Sequence, residues 1–454
     1  MVLNKKQVHL GVFLFGPGQH AGSWRHPATQ SDRLLDIGFY QEFAKIAERG
    51  KFDTILVLEQ LAIGDLNGKV IEDRPIPTLD TLTLLGVMAA VTEKIGLTAT
   101  WSTTYNDPFH TAARFATIDH LSRGRAGWNM VTSQDSRVAF NYSKDAHMDH
   151  ALRYQRAAEF VDVAKKVWDS WEEEAILADK CSGAFFDPGK VHDIHHKGAF
   201  FSVEGRSTIP RPIQGHPVLF QAGSSESGLH FAAQKAEVVF TAQDNLQDAQ
   251  AYYAKLKALT SRYGRKSEQL HILPGLSPIL GTTVKEAKEL EAYFNELILP
   301  EAAVKVLSGT LDIDLSVYPI DGPLPYSEIQ AETNNNKKSR VQLLKDLAQR
   351  ENLSIRQLSK HVVAAGGHYS FVGTPEQLVD HMETWIDQDA CDGFTIMPSH
   401  YLSGLEAFVD QVVPLLQEKG RHRIDYTGHT LREHLGLERP ASPWTPQAQQ
   451  QITL

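Results

Sequence analysis

The segment from Gly96 to Ser133 constrains the fold more than any other part of the chain, because its pattern predicts a strand, a helix and a second strand. In the first strand, GLTATWS, Leu97, Ala99 and Trp101 alternate with small polar residues, and RAGWNMV at 125–131 alternates in the same way. Two such strands joined by an amphipathic helix predict a right-handed βαβ unit. Since parallel barrels place their chemistry at the carboxyl ends of their strands, this segment is also a candidate site.

Strand and helix patterns alternate along the whole chain. Eight segments are predicted to be buried strands, and they begin near Val8, Asp53, Gly96, Arg125, Pro217, Glu237, Leu270 and Asp392. Eight successive βα units predict an α/β fold of the closed (β/α)8 TIM-barrel type, and a doubly wound open sheet is the alternative. We treat residues 1–454 as a single domain, because such barrels commonly reach about 250 residues and more with insertions.

Three stretches of the chain are longer than a minimal (β/α)8 barrel needs and are predicted insertions. Residues 60–77 are polar, residues 176–215 contain a predicted β-hairpin around Lys197 and Gly198, and residues 282–372 form a long mixed insertion. Insertions after barrel strands commonly become lids, so we expect a lid over the carboxyl-terminal face. The tail, 421–454, becomes rich in Pro and Gln and is expected to wrap around the barrel or to fray.

Composition excludes several classes of function. The net charge is −10 and no basic block occurs, which argues against nucleic acid or an anionic membrane as a partner. The two cysteines, Cys181 and Cys391, are far apart and no His/Cys spacing suits a metal shell, so neither disulfide nor metal is expected. The apolar run near the first residues alternates like a strand rather than a signal peptide, and a cytoplasmic protein is expected.

Two pairs of residues are candidates for a site, and each has a purely structural alternative. His150 and Tyr154 share one face at the start of a helix that follows RAGWNMV, so they either begin the core stripe or face the barrel mouth. Ser224 and Ser225 lie between a strand and a helix in AGSSESG. This turn either binds an anion at the helix N-terminus or simply caps the helix, since it is neither GxGxxG nor a Walker loop.

The loop after the first strand contains His20, Arg25 and His26 on the predicted catalytic side. These side chains predict a wall for a small anionic substrate, while a solvated loop is the alternative. Spacing alone does not single out an acid/base pair among the 55 carboxylates.

Several runs of the chain together resemble one family. They are GSWRHP, RGKFDTILVLEQLA, TATWSTTYNDPFHTAARFATIDHLSRGRAGWNMVTS, HALRYQRAAEFV, DPGKVHDIHHKGAFFSVEG, PVLFQAGSSESG, FVGTPEQLVDHM and DGFTIMPS. In this order they closely resemble the bacterial-luciferase-like FMN-dependent monooxygenases, in the branch of the nitrilotriacetate, dibenzothiophene sulfone and long-chain alkane monooxygenases. The similarity covers nearly the whole chain, including YTGHTLREHLGL in the tail.

The resemblance implies a TIM barrel that binds reduced FMN supplied by a separate NAD(P)H:flavin reductase. It implies a homodimer or homotetramer that inserts one oxygen atom of O2 into a small sulfur- or nitrogen-containing substrate, with cleavage of a C–S or C–N bond. Two alternatives are a deazaflavin-dependent hydride-transfer oxidoreductase on the same barrel and a non-catalytic flavin-binding barrel.

The resemblance also gives roles to particular positions. Thr100 and Asn129 would lie by the isoalloxazine, His150 and Tyr154 would contact the flavin or its phosphoryl end, and Ser224 and Ser225 would hold the phosphate. Asn129 is a predicted catalytic residue together with His20 and Arg25 of the substrate wall. His368 and Tyr369 are further candidates for that wall. One position departs from the family, because Glu59 in VLEQ replaces the aspartate of a common FLxD pattern and is expected to bind the cofactor in its place.

Overall fold

Eight parallel strands form the centre of the molecule. The structure is a computed structural model that describes residues 5–63, 78–329, 335–365 and 368–445, and the backbone at 65–66 and 69–70. The strands are β1 (His9–Leu14), β2 (Thr54–Val57), β3 (Gly96–Ser102), β4 (Ala126–Val131), β5 (Val218–Ala222), β6 (Val238–Thr241), β7 (His271–Leu280) and β8 (Gly393–Ile396). Each pairs in parallel with the next, and β8 pairs with β1. The predicted closed barrel is therefore confirmed, and the open sheet is excluded.

Helices surround the barrel and begin at residues that suit helix starts. The longer ones are α1 (Ile37–Arg49), α2 (Thr81–Ala89), α3 (Pro108–Leu121), α4 (His150–Trp168), α5 (Glu226–Lys235), α6 (Leu246–Arg262), α7 (Val284–Glu296), α8 (Pro300–Leu311), α9 (Asn335–Glu351), α10 (Ile355–Ala365) and α11 (Pro375–Asp387). Eight of them follow an Asp, Asn, Ser or Thr whose side chain accepts an N–H of the first turn. Such caps satisfy backbone donors that the helix itself leaves free.

The two faces of the central strands have different neighbours. The apolar face of β3 and β4 points outward, where Trp128 is fully buried between Phe115 of α3 and Phe160 of α4. The small polar face points into the barrel, where the hydroxyl oxygens of Thr54 and Thr98 lie 2.8 Å apart. The inward face of β2 and β3 is therefore partly polar, and the largest apolar core lies between the strands and the helices.

The tail closes the amino-terminal end of the barrel. Leu431, Leu435 and Leu437 pack against β5, β6 and β7 from below. Arg423 pairs with buried Asp53 just before β2, and Arg432 lies 2.6 Å from Glu237 just before β6. The tail therefore wraps around the barrel as far as residue 445, which is the first of the two outcomes predicted for it.

The predicted insertions have distinct structures. In 282–372, helices α8, α9 and α10 build a separate apolar core, and a strand at Tyr369–Gly373 pairs in parallel with the outer half of β7. In 176–215 the predicted hairpin is confirmed, with antiparallel strands at Ile194–Lys197 and Ser202–Gly205. In 60–77, the backbones of Asp65–Leu66 and Lys69–Val70 pair, while 64, 67–68 and 71–77 lie outside the described residues. No helix in the described part of the chain is long and apolar enough to span a membrane.

Candidate active site

A cavity of about 390 Å³ opens at the carboxyl-terminal mouth of the barrel. Strands β1 to β6 all contribute residues at or just beyond their ends, and the lining includes Phe13, Leu58, Glu59, Thr100, Asn129, Val131, Ser133, Asp135, Tyr154, Ala222 and Phe240. Four of the predicted cofactor residues, Glu59, Thr100, Asn129 and Tyr154, thus line one cavity. This is the position where a parallel barrel places its chemistry.

Thr100 and Asn129 meet because β3 and β4 pair in a register that sets them side by side. The Asn129 Nδ2 donates a 3.0 Å hydrogen bond to the Thr100 hydroxyl. The Asn129 Oδ1 is buried and has no hydrogen-bond partner among the described residues. Because buried polar atoms are nearly always paired in folded proteins, this oxygen suits the N–H of a bound ring.

Glu59 follows β2, the strand that pairs with β3, and it lines the same cavity. Its Oε2 accepts a 3.0 Å hydrogen bond from the backbone N–H of Ser102. Burial raises the pKa of Glu59 to about 8, and the nearby Asp80 carboxylate adds to that shift. The cavity therefore contains a carboxyl group that is largely neutral at pH 7.

Tyr154 and Ser225 approach each other where α4 and α5 begin. The Ser225 hydroxyl accepts the Gly228 N–H at 3.1 Å, so the predicted helix cap is present. Gly223 and Gly228 keep the surroundings of Tyr154 open, since a Cβ atom at either position would lie 3.0 Å from the Tyr154 hydroxyl. The remaining N–H groups of the first turn of α5 suit an anion such as phosphate, so capping and anion binding are compatible here.

His150 and Ser224 lie at the edges of this group. The His150 and Tyr154 rings are 5.1 Å apart in an edge-on arrangement, and Ser224 is exposed beside Ser225. Further along α4, Ala157 and Phe160 are fully buried. Both alternatives for this helix face are therefore realised, because its first turn lies at the mouth and its later turns belong to the core.

His20 and Arg25 lie elsewhere, against the first helix of the long insertion. The exposed Arg25 donates a 2.6 Å hydrogen bond to the carbonyl of Leu297, at the end of α7. His20 is buried with its ring 5.1 Å from Phe294 of α7. Neither residue lines the cavity. Their predicted contact with substrate remains a prediction, and the contacts seen here join the β1 loop to the insertion.

Sequence reasoning missed several contributors to the site. Phe13 stacks on Phe240 at 5.6 Å. Phe240 also stacks at 5.0 Å on His368, which was already a candidate for the substrate wall, and the three rings form an aromatic wall. Gln221 of β5 is buried, and its Oε1 has no partner in the described part of the chain. A Phe or Gln within a strand gives no signal that distinguishes a cavity wall from the core, so the sequence offered nothing to find them by.

Comparison with known proteins identifies the family. The model of the luciferase-like monooxygenase family matches residues 10–390. The chain belongs to the luciferase-like monooxygenases. N-acetyl-S-(2-succino)cysteine monooxygenase of Bacillus subtilis (strain 168) is 49% identical over 443 residues, which cover 97% of this chain and 99% of that protein. Nitrilotriacetate monooxygenase component A of Aminobacter aminovorans is 44% identical over 445 residues, which cover 96% and 97% respectively.

A solved structure supports the same assignment. A riboflavin lyase determined with modified FMN and riboflavin has a TM-score of 0.85 and 29% sequence identity, and the match covers 98% of this chain and 99% of that one. The protein is accordingly a flavin-dependent monooxygenase of the luciferase-like family. The deazaflavin alternative is not favoured, because the relatives described above are named monooxygenases.

The residues at the mouth of this luciferase-like barrel fit FMN. Asn129 and Gln221 supply buried amide oxygens that have no partner among the described residues. The glycine-lined space beside the Tyr154 hydroxyl and the start of α5 suit the phosphoryl group. The aromatic and aliphatic wall around Phe13 and Phe240 suits the flat, largely apolar ring system.

Proposed function

We propose that this protein is the oxygenase component of a two-component system. It binds reduced FMN delivered by a separate NAD(P)H:flavin reductase and inserts one oxygen atom of O2 into a small sulfur- or nitrogen-containing carboxylate. Cleavage of a C–S or C–N bond follows. The mouth cavity is the single observation that supports this proposal most strongly, because its lining combines the hydrogen-bonded Asn129 and Thr100, a largely neutral carboxyl group and an aromatic wall.

The chain's own residues have separate tasks in this proposal. Asn129, held by Thr100, orients the ring, while Tyr154 and the start of α5 with Ser225 hold the phosphoryl end. When bound, reduced FMN supplies the electrons that activate O2. The apolar side chains of the cavity wall exclude water from the reacting atoms, which protects them from side reactions.

The proposed substrate class rests on the named relatives. N-acetyl-S-(2-succino)cysteine and nitrilotriacetate, named in two relatives, are carboxylates that contain sulfur or nitrogen. No Lys, Arg or His is among the described residues that line the cavity. Arg25 on the neighbouring β1 loop is exposed, and it remains our proposed contact for a substrate carboxylate.

The deciding experiment measures substrate-dependent consumption of NADH and O2 with an unrelated FMN reductase. Succinylated thiols, aminopolycarboxylates, aromatic sulfones and long alkanes are compared, and product analysis detects C–S or C–N cleavage. We expect turnover with one of the two carboxylate classes. Oxidation of alkanes alone, or no turnover with any class, would contradict the proposal.

Flavin binding offers a second test of the same proposal. Since the oxygenase receives its reduced flavin from another protein, we expect the pure protein to be nearly colourless and to bind reduced FMN more tightly than oxidised FMN. Anaerobic and aerobic titrations compare the two dissociation constants. Stoichiometric yellow flavin that NADH alone reduces in the pure protein would exclude a separate reductase.

A further inference from the structure

Glu59 differs in its partners from three carboxylates placed just before barrel strands, Asp53, Glu237 and Asp392. Asp53 pairs with Arg423, Glu237 with Arg432 at 2.6 Å, and Asp392 with Lys257 at 2.9 Å. Within the described residues, Glu59 forms no ion pair with a Lys, Arg or His. Its hydrogen bond from the Ser102 N–H involves Oε2, and its Oε1 has no hydrogen bond within the described part of the chain.

The groups around Glu59 disfavour a negative charge. Leu58, Leu61 and Phe13 give the neighbouring wall of the cavity an apolar surface. Among the described residues, the titratable groups that act on Glu59 or respond to it are the Asp80 carboxylate at the start of α2 and the Tyr142 hydroxyl, and neither is a cation. Asp135, also in the lining, already forms an ion pair with Arg137 at 2.7 Å. A carboxyl group in such surroundings is stabilised in its neutral form.

We propose that Glu59 holds a proton in the working enzyme and donates a hydrogen bond from Oε1 into the cavity, to an acceptor atom of the bound flavin ring. The proposal rests on the proposed function, because it takes the flavin as the occupant of the cavity. Burial raises the pKa of Glu59 to about 8, which agrees with the geometry. Glu59 is thus a hydrogen-bond donor to the cofactor.

The proposal links the affinity for flavin to the pH. If the flavin binds only when Glu59 is protonated, its affinity falls above about pH 8, by up to about tenfold per pH unit. The second ionisation of the FMN phosphate, near pH 6, lies below this window and does not contribute. A glutamine at position 59 keeps a neutral N–H donor without a titrating proton, so it removes the pH dependence and keeps the hydrogen bond.

The test measures the dissociation constant of oxidised FMN by fluorescence quenching from about pH 7 to pH 9. The wild type is compared with Glu59→Gln, Glu59→Asp and the control Glu289→Gln, which removes an exposed carboxylate of α7. We expect the wild type and the control to lose affinity as the pH rises above about 8. We expect Glu59→Gln to bind within about threefold of the wild type at pH 7, with no pH dependence. Glu59→Asp keeps a titrating carboxyl group and should retain a pH dependence.

Infrared spectroscopy of the free protein gives an independent measurement at neutral pH. The absorption of protonated carboxyl groups should decrease in Glu59→Gln and should change when FMN is added to the wild type. Asp119, buried beside Gln214, also has a raised pKa, and its contribution should persist in Glu59→Gln.

Each outcome has a distinct meaning. The same pH dependence in Glu59→Gln as in the wild type, or an unchanged carboxyl absorption in that variant, would overturn the assignment of the proton to Glu59. Failure of the wild type to bind either oxidised FMN or, under anaerobic conditions, reduced FMN at any pH would instead overturn the proposed function, and with it the role of Glu59 as a donor to flavin.

Discussion

At the scale of single residues, the mouth of the barrel contains polar atoms that the fold leaves unpaired. The Asn129 Oδ1 and Gln221 Oε1 are buried without partners among the described residues. Leaving such an atom unpaired costs about 1–3 kcal/mol, so a ligand that pairs with both recovers that free energy on binding. In the proposed function this ligand is the flavin, so the unpaired atoms would strengthen its binding at the expense of the stability of the free protein.

Tyr154 provides a direct test of the phosphoryl end. Tyr154→Phe removes a hydroxyl beside the glycine-lined space and should weaken FMN binding by about 1–2 kcal/mol, as expected for a lost bond to a charged phosphate. Binding should persist, because the start of α5 still offers N–H groups. Fluorescence titration measures the change in the FMN dissociation constant. The control is Tyr263→Phe, which removes the hydroxyl of an exposed tyrosine directly after the last residue of α6. An unchanged dissociation constant in Tyr154→Phe would place the phosphate elsewhere.

Arg25 tests the substrate side. Arg25→Met should raise the KM of an anionic substrate several-fold while leaving FMN affinity unchanged, because in our proposal Arg25 contacts the substrate carboxylate and not the flavin. The variant also loses the hydrogen bond to Leu297, so a neutral substrate analogue serves as the control. An equal rise in KM for the neutral analogue would mean that Arg25 acts by holding the insertion in place and not by binding a carboxylate.

At the scale of elements, the contact between the β1 loop and α7 joins the barrel to its insertion. The rings of His20, His26 and His400 surround Phe294, with centroid distances of 5.1, 4.9 and 5.3 Å. Burial lowers the pKa of His20 and of His400 to about 4, and burial lowers that of His26 as well. The three rings are therefore neutral at pH 7 and pack as aromatic groups.

This cluster should make stability depend on pH. Because the folded pKa values lie below the ordinary value of 6.5, the unfolded chain binds more protons between about pH 4 and 6.5. Stability is then complete above pH 6.5 and is lost as the pH falls towards 4. We expect a lower thermal midpoint at about pH 5 than at pH 7.5, and a smaller difference in His400→Phe, whose ring does not titrate. The control His195→Gln, on an exposed hairpin, should leave the pH dependence of the thermal midpoint unchanged. The same pH dependence in His400→Phe as in the wild type would be evidence against a contribution from the cluster.

The elements also show what could be predicted from sequence. All eight barrel strands were located, because short apolar runs such as TILV and VLFQA are separated by helices of regular period. The four cavity residues Glu59, Thr100, Asn129 and Tyr154 followed from strand ends and from family resemblance. The position of Arg25 could not be predicted in this way, because the path of its loop is set by packing on α7, which is distant in sequence. The Tyr369–Gly373 strand was missed because it lies inside a predicted insertion and extends only the outer half of β7.

At the scale of the whole molecule, stability and function lie at opposite ends of the barrel. The carboxyl-terminal mouth holds the cavity with its unpaired polar atoms. The amino-terminal end is closed by the tail, whose Leu431 and Arg432 meet strands that are far away in the sequence. Since the tail joins β2, β5, β6 and β7 from below, we expect it to stabilise the closed barrel without affecting the chemistry above.

The ion pair between Arg423 and Asp53 tests this separation. Asp53 is fully buried, and although burial would raise its pKa, the Arg423 cation and His9 hold it well below the usual value. Its stabilising contribution is therefore present at neutral pH and is lost only as the pH falls below about 4. Arg423→Met leaves an unpaired buried charge and should lower the free energy of unfolding by about 3–5 kcal/mol.

Thermal denaturation measures this loss of stability. FMN titration at a temperature well below the thermal midpoint shows whether FMN binding at the mouth of the barrel changes as well. Arg49→Met breaks the exposed ion pair with Asp410 and should cost less than about 1 kcal/mol. Adding Asp53→Asn to Arg423→Met removes the unpaired charge and should restore part of the stability. If Arg423→Met instead weakened FMN binding as strongly as it lowered the midpoint, the two ends of the barrel would be coupled, and closure by the tail would be part of the catalytic machinery rather than only of the fold.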